Sequence, residues 1–173
     1  MLTRRDTLKL AVAATAATVM PAGALGAFDP QALIARAIPK TGEKLPVVGL
    51  GSSATFRSVA QSEDVSALAE VMRTLVENGG TVFDTAPSYG ASEEVSGQIA
   101  RDAGMTDRIF WATKVNALGR GEPGPADPEK VTAQLERSFE RAHKDPIDLI
   151  QVHNLADLPT QMRAIRELKE AGR

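Results

Sequence analysis

The chain has 173 residues, with 20 Lys and Arg against 22 Asp and Glu, two histidines and no cysteine. The lack of cysteine excludes a disulfide scaffold and a thiolate metal site. A net charge of −2 without a long basic run argues against a protein that binds nucleic acid by neutralising phosphates. With 43% hydrophobic and 24% charged residues, the composition is that of one globular domain of about 100–200 residues whose partners are small molecules.

In chain order, residues 1–27 read as a leader: a basic head with Arg4, Arg5 and Lys9, an Ala/Val/Thr stretch from Leu10 to Met20, then Pro21 and small residues. The apolar part is shorter than the ~20 residues that span a bilayer, which argues against a permanent membrane anchor. Thr3-Arg4-Arg5-Asp6-Thr7-Leu8-Lys9 resembles the twin-arginine export motif, with Thr7 where that motif prefers an aromatic. The expectation is a signal peptide cleaved near Ala24 or Ala27, an interaction with export machinery, and a periplasmic mature domain over residues 28–173.

Residues 34–39 and 45–49 flank a polar run, residues 40–44, and predict a β-hairpin. Val47 to Leu50 reads as a short strand. Ser62 is placed to cap a helix whose inner face carries Val65, Leu68, Met72, Leu75 and Val76. Residues 81–86 read as a strand, Ser92 as the cap of a second helix bearing Val95 and Ile99, and residues 109–115 as a strand. Asp127 followed by Pro128 marks a third helix start, with Val131, Leu135, Phe139 and Ala142 on one face. Residues 147–152 are again strand-like, and a last helix turns Met162, Ile165 and Leu168 inward. A hairpin followed by four β-α units implies an α/β fold with a parallel sheet covered by helices.

Polar residues at the carboxyl ends of these strands carry the functional signal. Asp84, Lys114 and His153 each follow an apolar run, and neighbouring parallel strands bring such ends to one rim. Tyr89, the only tyrosine, follows Asp84 by five residues and can fold back over that rim. A phenol releases its proton only at about pH 10 unless a cation favours the phenolate. Lys114 supplies such a cation, Asp84 orients it, and His153 offers a hydrogen bond to a substrate oxygen. That group protonates a carbonyl receiving a hydride, and the hydride must come from a cofactor.

Gly49-Leu50-Gly51, Phe83-Asp84-Thr85-Ala86 with Tyr89-Gly90 and Ser92-Glu93, Ala112-Thr113-Lys114, and Asp148-Leu149-Ile150-Gln151-Val152-His153 together resemble the aldo/keto reductases. The resemblance runs from about Ile34 to Arg173. It implies a (β/α)8 TIM barrel closed at its base by an N-terminal hairpin, with Tyr89 as general acid, Lys114 and Asp84 tuning it and His153 orienting the carbonyl. It also implies NADPH or NADH as cofactor, with Gly51, Ser52, Ser53 and Asp84 beside its ribose, and an aldehyde or ketone substrate. A barrel takes about 250 residues, so the four units read here are its N-terminal half, and this chain alone is expected to be inactive.

Each of these residues also has a structural reading: Asp84 as a turn cap, Lys114 as a surface residue, His153 as a core histidine, Tyr89 as packing. It is their joint order at strand ends that favours chemistry. A non-catalytic cofactor-binding or regulatory protein with the same fold is the alternative. A metal-dependent enzyme using Asp84 and His153 is disfavoured, because a divalent site gains nothing from Lys114. Gly49-Leu50-Gly51 lacks the third glycine of a dinucleotide fingerprint and opens no helix.

Overall fold

In the computed structural model, residues 33–119 and 121–173 are described. The leader read over residues 1–27, with its cleavage sites, lies outside them. The chain first forms the hairpin, β1 (Ala35–Ala37) antiparallel to β2 (Lys44–Pro46), with Ala35 opposite Pro46 and Ala37 opposite Lys44. Gly42 takes a positive φ of 77° in its turn, where the Gly42 amide donates to Ile38 O at 2.8 Å.

Four parallel strands follow in the order β3 (Leu50–Gly51), β4 (Val82–Asp84), β5 (Phe110–Val115) and β6 (Leu149–Val152). The register sets Gly51 beside Asp84, Asp84 beside Ala112, and Lys114 beside Gln151. Five helices intervene or follow: α1 (Thr55–Ala60), α2 (Ser66–Glu77), α3 (Ser92–Asp102), α4 (Pro128–Ala142) and α5 (Leu158–Glu170). None of the helices among the described residues is long and apolar enough to cross a membrane.

Alternation along the strands divides the sheet into two faces. Phe83, Trp111, Thr113 and Val115 are buried against helices. Phe83 sits edge-to-face between Phe56 of α1 and Trp111, at 5.4 and 5.3 Å between ring centres. Met72, Ile99 and Phe139 from α2, α3 and α4 complete this cluster, while Val131, Leu135 and Val152 form a second around Val115. Asp84, Lys114, Leu149 and Gln151 belong to the opposite face.

Three local expectations are corrected. Val47 and Val48 lie outside the parallel sheet and are 51% and 74% exposed, because Val47 continues the hairpin by donating its amide to Ile34 O at 2.9 Å. Ser62 does not cap α2: its hydroxyl donates to Val59 O and Asp64 O, and Asp64 instead accepts from the Ser66 amide at 2.9 Å. Ser92 does not cap α3: it is the helix's first residue and donates its hydroxyl to Ser52 O at 3.0 Å. The Asp127 cap forms as expected, accepting from the Glu129 amide at 3.0 Å with Pro128 opening the helix.

Candidate active site

The four residues expected to act together meet at the carboxyl ends of β4, β5 and β6. Asp84 is the last residue of β4 and Lys114 the penultimate residue of β5. Parallel pairing of these strands brings the Lys114 ammonium 2.5 Å from Asp84 Oδ1 and 2.9 Å from Thr85 O. The Lys114 side chain is only 12% exposed and that of Asp84 40%, so the cation is shielded on the sheet side and its partner faces open space.

Tyr89 is delivered by the turn after β4. The Thr85 amide donates to Ala112 O at 2.8 Å, which continues the ladder, and the Tyr89 amide donates to Ala86 O at 3.0 Å, which closes the turn. The phenol ring centre then lies 5.2 Å from Lys114 Nζ. His153 begins the short 3-10 turn after β6, and its ring meets that of Tyr89 edge-on, 5.7 Å between centres at 84°.

Burial of the His153 ring, followed by the nearby Lys114 ammonium, holds its pKa below the ordinary 6.5, with Asp84 opposing in part. The native state therefore takes up this proton less readily than the unfolded chain. Its contribution to stability is complete above pH 6.5 and is lost as the pH falls from there through the depressed native value. Urea unfolding at about pH 7.5 and about pH 5.5 is expected to show a smaller loss of stability on acidification in His153→Asn than in the parent. Equal losses in the two proteins would mean that other groups carry the acid sensitivity.

The residues expected beside a cofactor divide into two kinds. Gly51 and Ser53 are exposed, and a Cβ built on Gly51 meets nothing within 4 Å. Ser52 is fully buried. Its amide and hydroxyl both donate to Asp84 O at 3.0 Å, and its carbonyl accepts from Ser92. Ser52 is a strut that fixes the end of β4 from behind.

Three polar side chains around the site have roles that the sequence alone does not assign. Glu93 is 1% exposed, accepts from the Thr113 hydroxyl at 2.6 Å and pairs with Arg141 at 3.3 Å, so α3 and α4 grip β5 on the side opposite Lys114. Gln161 is fully buried, accepts from the Ala117 amide at 3.0 Å and donates to Ala156 O, tying the loop after β5 to the loop after β6. Its signal was its place in the inward stripe with Ile165 and Leu168. Ser88, immediately before Tyr89, places its Oγ 3.2 Å from His153 Nδ1.

The sequence profile of the aldo/keto reductase family matches residues 47–173. Among characterised relatives, the chain is 31% identical over 147 residues to aldo-keto reductase YhdN of Bacillus subtilis, covering 79% of this chain and 43% of that protein. It is 30% identical over 151 residues to L-galactose dehydrogenase of Arabidopsis thaliana, covering 80% and 45%. Among solved structures, an aldo-keto reductase from Klebsiella pneumoniae in complex with NADPH superposes with a TM-score of 0.61 at 25% identity, covering 81% of this chain and 47% of that one. The chain thus spans less than half the length of these relatives.

Proposed function

Because the chain belongs to the aldo/keto reductase family, we propose that its hairpin and four β-α units are the N-terminal half of a (β/α)8 barrel that, when complete, reduces an aldehyde or ketone to an alcohol. The observation that carries the reading is the Lys114 ammonium, 2.5 Å from the Asp84 carboxylate and 5.2 Å from the centre of the Tyr89 ring. A largely shielded ion pair is weak as a source of stability alone, whereas a proton donor beside a developing alkoxide needs a fixed cation.

NADPH is the cofactor we infer, supported by its presence in the Klebsiella relative. The residues here fit the part of such a cofactor that reaches a strand-end rim. Gly51 leaves open space where a side chain would stand, and beside it Ser53 and the half-open Asp84 carboxylate offer polar atoms to a ribose. Such a cofactor, when bound, would supply a hydride to the carbonyl carbon and leave as its oxidised form. Tyr89 gives its phenolic proton to the carbonyl oxygen, so the C=O bond becomes H–C–O–H. The Lys114 cation stabilises the phenolate left behind, and Asp84 holds Lys114 in place. His153 donates a hydrogen bond that orients the carbonyl oxygen. Solvent then returns a proton to Tyr89.

The test is isotope transfer in the full-length protein. NADPH carrying deuterium at the nicotinamide C4 is incubated with a panel of aldehydes and ketones, and the alcohols are analysed by mass spectrometry. Deuterium on the carbinol carbon is expected. Tightly bound NADPH that transfers none to any substrate would replace this reading by a cofactor-binding role. The half barrel alone is proposed to be inactive.

We further propose that the mature domain is exported. The reading rests on Arg4 and Arg5, the apolar run from Leu10 to Met20 and the small residues around Ala24 and Ala27. Protein from its own cells is expected to begin just after one of these alanines by mass spectrometry. An intact N-terminus would remove the export assignment.

A further inference from the structure

We propose that Ser88 is a positioning residue that donates its hydroxyl proton to His153 Nδ1, holding the imidazole in the tautomer whose Nε2 carries the hydrogen. The inference deepens the reductase reading and takes from it the need for a donor on the outer ring nitrogen.

The geometry begins with the turn after β4. Its closure at the Tyr89 amide presents Ser88 and Tyr89, consecutive residues, to the same imidazole. Tyr89 meets the ring edge-on at 5.7 Å, and Ser88 Oγ lies 3.2 Å from Nδ1. Ser88 Oγ has no other hydrogen-bond partner among the described residues.

The charged and titratable groups near this ring are Lys114, Asp84 and Tyr89, and the cation together with burial favours the neutral imidazole. A neutral imidazole has one donor and one acceptor, and the partner of one nitrogen decides the role of the other. If Nδ1 held the hydrogen and donated to Ser88, Nε2 would be an acceptor. It would then compete with a substrate oxygen for the Tyr89 proton. With the Ser88 hydroxyl donating, Nε2–H is left for the carbonyl oxygen. Packing alone gives Ser88 no role, since the residue is exposed.

The experiment reads the tautomer directly, in the full-length protein with 15N-labelled histidine at about pH 8, where the ring is neutral. The His153 signals are assigned by their loss in His153→Asn. The expected spectrum of the parent shows a protonated Nε2 and an acceptor Nδ1. Ser88→Ala is expected to lower the ratio of this tautomer to the other by about fivefold, the worth of one neutral hydrogen bond. Ser88→Thr, which keeps the hydroxyl, restores it. In turnover, Ser88→Ala lowers kcat about tenfold with the KM for cofactor unchanged, and Ser88→Thr recovers most of the rate.

A protonated Nδ1 in the parent, or a tautomer ratio indifferent to Ser88→Ala, would overturn the inference. Neither result touches deuterium transfer, and failure of deuterium transfer leaves the spectrum as it is. The two readings therefore fail separately.

Discussion

In the full-length protein, Tyr89→Phe is expected to lower kcat for the proposed carbonyl reduction by about 100- to 10,000-fold, the range assigned to a positioned general acid, while leaving the affinity for NADPH nearly unchanged. The substitution removes one oxygen and its proton and keeps the ring. The edge-on contact with His153 and the position over Lys114 are contacts of the ring itself and persist. What disappears is the phenolic proton that the ring carries beside the Lys114 cation. Steady-state rates and a fluorescence titration of NADPH separate the outcomes. Joint loss of binding and turnover would mark Tyr89 as structural, and a fall of only a few-fold would move the proton donor elsewhere.

Gly97→Ala is expected to have the largest effect on stability. Gly97 lies in the middle of α3, where alanine is ordinarily the better helix former by about 1 kcal/mol. Here the added methyl would stand 1.7 Å from Arg141 O, 2.7 Å from Arg141 C and 3.0 Å from Ala142 Cα. These are backbone atoms of α4, so no side chain can rotate away, and one helix must move. A shift of α4 also pulls Arg141 from Glu93, a carboxylate only 1% exposed, and loosens the grip on Thr113 beside Lys114. The net loss is expected to be about 3 kcal/mol or more. Urea unfolding checks it, and an unchanged midpoint would mean that α3 and α4 pack with more slack than their geometry indicates.

The fold's outline and the central cluster of the site were legible because each rests on a strong local rule. An apolar strand that ends in Asp84 or Lys114 places a charge where burial alone gains nothing, and parallel pairing brings the two together. Asp127-Pro128 follows the chemistry of helix starts and forms as read. The misreadings come from residues whose partners are distant in sequence or whose signal is short. Ser92 reads as a cap until Ser52, 40 residues earlier, takes its hydroxyl. Helix α1 spans six residues and buries only Phe56 and Ala60, too little for a 3.6-residue period to show. Val47 and Val48 look like strand interior because hydrophobicity does not say which sheet an apolar pair joins. Glu93 was visible as a residue of a motif and Ser88 only as the neighbour of Tyr89, and the roles of both depend on Thr113, Arg141 and His153, which only the folded chain brings near.

Gln161 gives the rim a modular boundary that does not coincide with its loops. One amide side chain on α5 holds both the segment after β5, at Ala117, and the segment after β6, at Ala156. Asp157 adds a second tie by accepting from the Ala126 amide at 2.7 Å. The two segments that frame the approach to Lys114 and His153 therefore cannot be exchanged one at a time. Grafting residues 116–126 from a relative with a different backbone path would take the donating amides of 117 and 126 away from Gln161 and Asp157. The transplantable unit is the pair of loops together with the first turn of α5.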